Sequence, residues 1–456
     1  MINKLLSWLD ESTCNFMAVS VMERELKNAG FQELRQEEMW DIRKGGRYYL
    51  KKNDSAVFAF VIGEGDIKHD GFRVISAHSD SPCFKIKPNA EIYGDGGVVS
   101  LNVEKYGGGI LYTWFDRPLS ISGRVMLRGE DALHPRSVLV DLKRAVATIP
   151  HLAIHFNRGV NEGNPLSVQK DMKPVVGYFS EDKIAYFKKN GGVVKSLIAE
   201  HLGIQAEDIL EYELCLYPLE AASVVGVSGE YFQSARIDDL SMAFAGLEAL
   251  LASTEKTSAT RVLAIFDNEE TGSGTKQGAA SPVLRDAMDR IVRILEGDDS
   301  QNTYMAVANS FMISADDAHA WHPNYNEKYD PTNHPVIGGG PVVKINANCK
   351  YMTDAQGAAV FGELCRESGV NCQYFVNHAD VAGGSTLAIS HHPSLIFAVW
   401  IWVMQSGRCI RQERQPESPT ISMPSRCSDS SSNEIWIAIL IFIILQPEIK
   451  INHIHI

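Results

Sequence analysis

The chain is poor in cysteine, and its cysteines lack the spacings that would organise a fold around sulfur. Its 456 residues include eight cysteines, and no two of them form a Cys-x-x-Cys pair. Disulfide-rich secreted domains and thiolate zinc sites need denser or paired cysteines. The cysteine usage therefore argues against both and is typical of a protein of the reducing cytoplasm.

Positive charge is scarce as well. Lys and Arg number 43 against 56 Asp and Glu, which gives a formal net charge of -13. This balance disfavours a nucleic acid or an anionic membrane as a partner, because both carry negative charge. A small molecule or a peptide fits better as the ligand.

Long apolar runs are missing up to Thr386. No run before that residue approaches the roughly 18 apolar residues that a membrane-spanning helix needs. The N-terminus also does not match a secretory signal, because Asp10 and Glu11 stand where its apolar part would continue. We therefore expect a cytoplasmic protein with no membrane partner.

What is present is an alternation of strand-like and helical segments. Residues 72–78, 261–266 and 341–346 have the apolar texture of strands, whereas residues 238–253 repeat apolar side chains at helical spacing. This pattern predicts an α/β domain with a central mixed sheet.

The texture changes between residues 88 and 226, where short alternating runs are broken by glycine and proline. We interpret this range as an inserted, β-rich second domain. The length of the chain also favours two domains, because it exceeds what one core usually occupies. The first domain is then formed by residues 1–87 and 227–387.

Two segments place candidate catalytic side chains at predicted strand ends. In "VISAHSDSPC", His78 can bind a metal while Asp80 fixes its tautomer; a turn hydrogen bond is the alternative. In "VLAIFDNEETGSG", Glu270 can bind a cation while Glu269 takes a proton from a metal-bound water. A solvated acidic loop is the alternative there.

Two further segments add metal-ligand types. Asp238 and Asp239 in "SARIDDL" open the predicted helix, where acids ordinarily cap the N-terminus. The segment "SADDAHAWHPNY" then contributes Asp316, Asp317, His319 and His322. Hard oxygen donors with imidazole and no thiolate are what two hydrolytic zinc or manganese ions about 3.5 to 4 Å apart require.

In this order, the segments resemble those of the aspartyl aminopeptidases, a family of cocatalytic metallo-aminopeptidases. The resemblance runs from the N-terminus to about Leu387 and is carried by AHSDSPCFKIKPN, LAIHFNRGVNEG, SARIDDL, NEETGSG, SADDAHAWHPNY and GGPVVKINAN. It implies a catalytic α/β domain interrupted by a β-rich domain for dimerisation and assembly.

The resemblance also implies the roles of individual residues. Four residues would bind two divalent ions, preferably zinc: His78, Asp238, Glu270 and Asp316. Of these, Asp238 would bridge both ions. Asp80 would orient the ligand histidine, and Glu269 would be the general base. His155 is similar to a histidine that reaches the neighbouring subunit's active site, and Lys344 to a lysine that contacts substrate.

The implied activity is the release of a single N-terminal residue from a peptide by a homo-oligomer, a dodecamer built from dimers. An acidic residue is one candidate, since Lys344 could attract it, and a solvated lysine beside a strand is the alternative. A metal-dependent deacylase or dipeptidase on the same scaffold is an alternative enzyme. An inactive assembly subunit that keeps only the β-rich interface is an alternative of a different class.

The composition switches after Leu387. The last 69 residues hold one glycine and fifteen isoleucines, whereas thirty-five of the thirty-six glycines precede them. The family pattern expects one more metal-ligand histidine, in an Ala-Met-His-Ser stretch after a "GGSTLGNIS" loop, but the chain continues as "GGSTLAISHH".

A one-base change of reading frame restores the family pattern. In this rereading, each codon after Leu387 is replaced by the third base of the preceding codon followed by its own first two bases. Residues 399–403 then become Val-Asp-Met-Gly, and residues 407–411 can encode Ala-Met-His-Ser. We therefore interpret residues 388–456 as an out-of-frame tail, irregular in structure, that deprives the chain of one ligand and impairs its activity.

The alternative is a genuine tail in which residues 435–445 form a membrane anchor or a partner helix. This apolar run has eleven residues. It is too short to span a bilayer, which takes roughly 20 residues.

Overall fold

The computed structural model describes residues 1–229, 231–381 and 383, together with the backbone of residues 398–402. Within these residues the chain forms the following α-helices: α1 (Ile2–Glu11), α2 (Asn15–Asn28), α3 (Ile67–Asp70), α4 (Val168–Asp171), α5 (Glu181–Lys189), α6 (Val193–Leu202), α7 (Ile237–Ala252), α8 (Val283–Glu296), α9 (Ser300–Ala308) and α10 (Ala355–Glu367). None of the described helices combines the length and the apolarity needed to cross a membrane.

The same residues form the following strands: β1 (Gln32–Glu33), β2 (Arg47–Lys52), β3 (Ala56–Val61), β4 (Phe72–His78), β5 (Cys83–Tyr93), β6 (Val98–Tyr106), β7 (Leu119–Leu127), β8 (Arg136–Asp141), β9 (Val175–Tyr178), β10 (Ile209–Pro218), β11 (Ser223–Val225), β12 (Tyr231–Gln233), β13 (Thr260–Phe266), β14 (Phe311–Ala315), β15 (Val342–Ile345), β16 (Gln373–Val376) and β17 (Ala398–Trp402).

The chain divides into two compact units. The first consists of Met1–Ser12, Ala18–Asp80 and the chain from Ala222 onward, and the second of Thr13–Met17 and Ser81–Ala221. The β-rich insertion expected at residues 88–226 thus falls largely in the second unit.

The first unit is built on a seven-stranded mixed sheet with the order β1-β2-β3-β13-β4-β14-β17. Its strands β13, β4, β14 and β17 run parallel to one another, and β3 is antiparallel to β13. Every residue of β3 and β13 is buried, because apolar clusters cover both faces of the sheet. One cluster includes side chains of α1, α2, α7 and α10, and the other includes side chains of α8 and α9. The predicted α/β domain with a central mixed sheet is confirmed.

Strand β17 corrects one expectation about the tail. Residues 388–456 were expected to be irregular, but Ala398–Trp402 pair in parallel with β14 along its whole length. The sequence AVWIW is rich in β-branched and aromatic residues, which favour strands. Since β14 would otherwise be an edge strand, its open hydrogen-bonding groups provide a partner for such a segment.

The second unit has its own sheet and its own core. Its six strands follow the order β8-β7-β10-β5-β6-β9, and all neighbours are antiparallel. Buried residues of this sheet pack with the apolar side of α6, including Val194 and Ile198. An antiparallel sheet separate from the mixed sheet is what the β-rich texture predicted.

Candidate metal centre

The candidate site lies where three parallel strands of the mixed sheet end. His78 is the last residue of β4, and its register partner Phe266 is the last residue of β13. Glu269 follows β13 by three residues, and Asp316 immediately follows β14. The carboxyl ends of parallel strands lie at the same edge of a sheet, where α/β proteins bind ligands. The topology therefore brings together segments that are far apart in the chain.

Four side chains at this edge form a group able to hold a cation. One donor atom each of His78, Asp238, Asp239 and Asp316 lies within 4.8 Å of the others. The imidazole Nε2 of His78 is 3.3 Å from Oδ1 of Asp238 and 3.9 Å from Oδ2 of Asp239. Three predicted ligands are thus adjacent, and Asp239 is an addition.

Asp239 does not act as the helix cap that the sequence suggested. The N-cap residue of α7 is Arg236, and the backbone angles of Asp238 and Asp239 are not helical. The Oδ2 atom of Asp239 instead accepts a hydrogen bond from the backbone N–H of His78, at 3.0 Å. The only sequence signal for this hydrogen bond was the position of Asp239 directly after the predicted ligand Asp238.

His78 is oriented through its other ring nitrogen. Its Nδ1 atom lies 3.0 Å from the backbone carbonyl oxygen of Asp80 and 3.4 Å from the Oδ1 atom of the same residue. A proton on Nδ1 can be donated to that carbonyl, which leaves Nε2 facing the acidic group as a potential ligand atom.

The carboxylate of Asp80 has a further contact. It accepts hydrogen bonds from the backbone N–H groups of Glu269 and Glu270, at 3.1 and 3.2 Å. Asp80 thereby fixes the turn of 3-10 helix that carries both glutamates. Glu270 contributes no donor atom to the group of four described residues.

Glu269 has the electrostatic surroundings of a proton acceptor. Burial raises the pKa of its carboxyl, and the nearby charge of His78 acts in the opposite direction. Further acids, beginning with Asp316 and Glu270, raise it again, and the resulting pKa is about 8. A perturbed carboxyl beside a cluster of acids is typical of a functional site.

Lys344 is buried beside the same group, whereas a lysine next to a strand is ordinarily solvated. Its Nζ atom contacts Oδ2 of Asp316 at 3.1 Å and the carbonyl oxygen of Asp317 at 2.6 Å. Asp317 is itself buried, and its Oδ1 atom accepts a hydrogen bond from the hydroxyl of Ser241 at 3.2 Å.

The remaining candidates lie elsewhere. His319 and His322 are exposed and do not belong to the group of four. His155 is exposed within the short helical turn Ile154–Phe156 of the second unit. Its contact with a neighbouring subunit stays a prediction.

The donor set fits a divalent cation. Asp239 is fully buried, and its Oδ1 atom accepts no hydrogen bond from any described residue. Burial raises its pKa, and Asp316, Asp317 and Asp238 raise it further, although His78 opposes them. Like charges buried together are costly without a positive partner, and carboxylate oxygens with imidazole suit zinc or manganese.

Comparison with known proteins identifies the family of the chain. The family model described as "Aminopeptidase I zinc metalloprotease (M18)" matches residues 8–393. A protein of Clostridium acetobutylicum named "Probable M18 family aminopeptidase 2" is 45% identical over 384 residues, which cover 84% of this chain and 87% of that protein.

Solved structures share the fold. The structure titled "Cryo-EM structure of the Ape4 and Nbr1 complex" superposes with a TM-score of 0.86 at 30% identity, covering 96% of this chain and 84% of that one. A second, titled as the S. cerevisiae mApe1 dodecamer, gives a TM-score of 0.78 at 23% identity, covering 97% and 95%. The match over most of its length, with the acidic group at the expected strand ends, shows that the chain belongs to the M18 family of zinc metallo-aminopeptidases.

Proposed function

We propose that this chain descends from an enzyme that uses two divalent ions, preferably zinc, to release single N-terminal residues from peptides. The observation that carries the proposal is the group of His78, Asp238, Asp239 and Asp316 within 4.8 Å of one another. Membership of the aminopeptidase family supplies the reaction class.

The residues proposed to hold the ions are His78, Asp238, Glu270 and Asp316, with Asp238 shared between both. When bound, such ions polarise a substrate carbonyl and make a water acidic enough to lose a proton near neutral pH. Asp80 positions His78 and the backbone of the two glutamates. Glu269 would then take the proton of the attacking water and return it to the leaving amine.

Substrate binding is proposed for Lys344 and His155. The buried ammonium group of Lys344, next to Asp316, supports a preference for peptides that begin with an acidic residue. His155 would complete the site of a neighbouring subunit in a homo-oligomer. Because mApe1 of S. cerevisiae is described as a dodecamer, we propose the same assembly, located in the cytoplasm.

The tail limits this activity. The family match ends at residue 393, six residues after Leu387, which supports a frameshift near that residue and the loss of the last histidine ligand. We therefore propose that the chain is impaired relative to an in-frame version. The same observation favours, as a second candidate, an assembly subunit without catalysis.

The test compares two substrates and also measures the oligomeric state. Metal-loaded protein should release free amino acids from unblocked peptides and nothing from the same peptides with an acylated N-terminus. Hydrolysis of the acylated peptides alone would replace the proposal with the deacylase. A homo-oligomer, measured by native mass spectrometry, that turns over neither substrate would identify the inactive assembly subunit.

A further inference from the structure

Two cysteines of the first unit are brought together by the way helix α10 ends. Gly369 follows the helix with a φ of +69°. Its N–H donates to the carbonyl oxygen of Arg366 at 3.1 Å, and the N–H of Val370 donates to that of Cys365 at 2.9 Å. This pair of bonds is a Schellman cap, which reverses the chain direction through a left-handed residue. The reversal carries Cys372 back beside Cys365.

The two thiols touch, but they differ in accessibility. The two thiols are electrostatic neighbours, and the Sγ atom of Cys372 also donates to the carbonyl oxygen of Gln373 at 3.7 Å. Cys365 is 1% exposed and belongs to the apolar core, whereas Cys372 is half-buried and packs against the edge of that core. The pair therefore consists of one sulfur that a small oxidant can reach and one protected sulfur in contact with it.

The contact also makes the thiols chemically unequal. The interaction between the two thiols lowers the pKa of Cys372 and raises that of Cys365, and burial raises the pKa of both. A lower pKa increases the fraction of thiolate, which is the form that attacks oxidants. The reachable sulfur is thus also the one with the larger thiolate fraction.

We propose that Cys365 and Cys372 form a redox modification site, at which hydrogen peroxide or a related peroxide produces an intrachain disulfide. The Cys372 thiolate attacks a peroxide oxygen, so that an S–O bond forms, the O–O bond breaks and hydroxide leaves. The Cys365 sulfur then attacks the Cys372 sulfur, the S–O bond breaks, and the departing hydroxide takes the Cys365 proton as water. Two electrons pass from the thiols to the peroxide.

The disulfide would fasten a functional part of the first unit. Strand β16 begins directly after Cys372 and pairs with β15, which carries Lys344. Gln373 donates through its backbone N–H to the carbonyl oxygen of Pro341 at 2.7 Å and through Nε2 to that of Gly340 at 2.8 Å. Cross-linking would thus tie the end of α10 to the strand that holds the loop before β15. The oxidised protein should unfold at a higher temperature than the reduced one, because a disulfide restricts the unfolded chain.

The test uses the full-length chain with its bound metal. One sample is treated with hydrogen peroxide and one with dithiothreitol, after which free thiols are alkylated under denaturing conditions and peptides are mapped by mass spectrometry. We expect a linked pair of peptides containing Cys365 and Cys372, about 2 Da lighter than their sum, since two hydrogen atoms are lost. The link should disappear in the dithiothreitol sample.

Two variants sharpen the result. Cys372→Ser should abolish the link and leave Cys365 open to alkylation, whereas Cys349→Ser, which removes an exposed cysteine elsewhere, should leave the link intact. Circular dichroism verifies that both variants fold. If either variant does not fold, the peptide mapping of the unmodified protein still tests the proposal.

The proposal fails if Cys372 is found alkylated or over-oxidised to a sulfonic acid while Cys365 stays free under conditions that oxidise Cys349. It also fails if Cys372 is linked to any other cysteine in preference to Cys365. Because the measured quantity is a covalent bond, this outcome does not depend on the proposed peptidase activity.

Discussion

The ammonium group of Lys344 lies 3.1 Å from Oδ2 of Asp316, one of the four residues of the cation-binding group. Burial acts to lower the pKa of Lys344, but Asp316 and its neighbours outweigh burial, so the pKa is raised and the lysine is charged. A divalent ion held by Asp316 would lie near this charge. We therefore expect Lys344 to stabilise the metal-free site and to oppose metal binding.

Replacing Lys344 should separate these two effects. In Lys344→Met, the metal-free protein should lose about 3 kcal/mol of unfolding free energy, because a buried carboxylate loses its partner. Metal should bind more tightly, because a nearby positive charge is gone. Urea unfolding with chelator and calorimetric titration with Zn²⁺ measure the two quantities. Lys350→Met, at an exposed lysine, is the matched control, and an unchanged metal affinity in Lys344→Met would contradict the expectation.

Glu269 is expected to act on protons rather than to hold the metal. Glu269→Gln keeps the shape of the side chain but removes the base, so turnover should fall by about 10² to 10⁴-fold. The metal content, measured by mass spectrometry of the elements, should not change. Glu270→Gln is the adjacent control and should lower the metal content. Peptidase activity retained by Glu269→Gln would exclude this residue as the base.

The raised pKa of Glu269 also predicts how the stability of the metal-free protein depends on pH. The folded state holds the proton up to a pKa of about 8, whereas the unfolded state releases it near the ordinary value of 4.5. Between these values the folded state binds more protons, so stability should decrease as pH rises, by up to about 1.4 kcal/mol per pH unit.

Urea unfolding in chelator at pH 5, 6.5 and 8 measures this slope. Glu269→Gln should flatten it without removing it, because burial raises the pKa of Asp239 and of Asp317 in the same direction. An identical slope in both proteins would show that Glu269 titrates normally.

Asp239 is expected to hold the backbone of His78 in place. Asp239→Asn keeps an oxygen to accept the His78 N–H and removes one of several buried like charges, so the metal-free protein should be at least as stable as the unmodified one. Asp239→Ala leaves that N–H without its acceptor and should cost about 1 to 3 kcal/mol. Urea unfolding in chelator compares the three proteins, and equal losses in both variants would rule out the hydrogen bond as the cause.

The parts of the site that could be predicted from sequence are those fixed by local patterns. His78 is the last residue of an apolar strand, and Glu269 and Asp316 follow two others; strand ends in an α/β fold are the places where ligand-binding residues gather. The helix 238–253 was likewise visible from its apolar spacing and is realised as Ile237–Ala252.

What the sequence could not show depends on contacts between distant segments. The local position of Asp239, at the start of a helix, indicated a cap, and only the arrival of His78 from β4 gives its carboxylate another donor. Lys344 stands beside a strand, where lysines are normally solvated, and its burial requires Asp316 from β14 as a partner. Strand β17 was not predicted, because the change in composition after Leu387 gives no information about the unpaired edge of β14.

The remaining prediction concerns the frame after Leu387. A version of the gene with the later codons shifted back by one base can encode Ala-Met-His-Ser in place of residues 407–411, and the version to be made carries that histidine. Loss of an outer-sphere partner alone costs about 10 to 100-fold in metal affinity, so loss of a direct ligand should cost at least about 100-fold. The repaired protein should bind two ions per chain, and the present protein should bind fewer than two. The repaired protein should also have higher peptidase activity.

A repaired protein whose histidine is then changed to alanine is the control, and it should return to the metal content of the present chain. Equal metal content and equal activity in the present and repaired proteins would mean that the tail, including β17, completes the site as it stands.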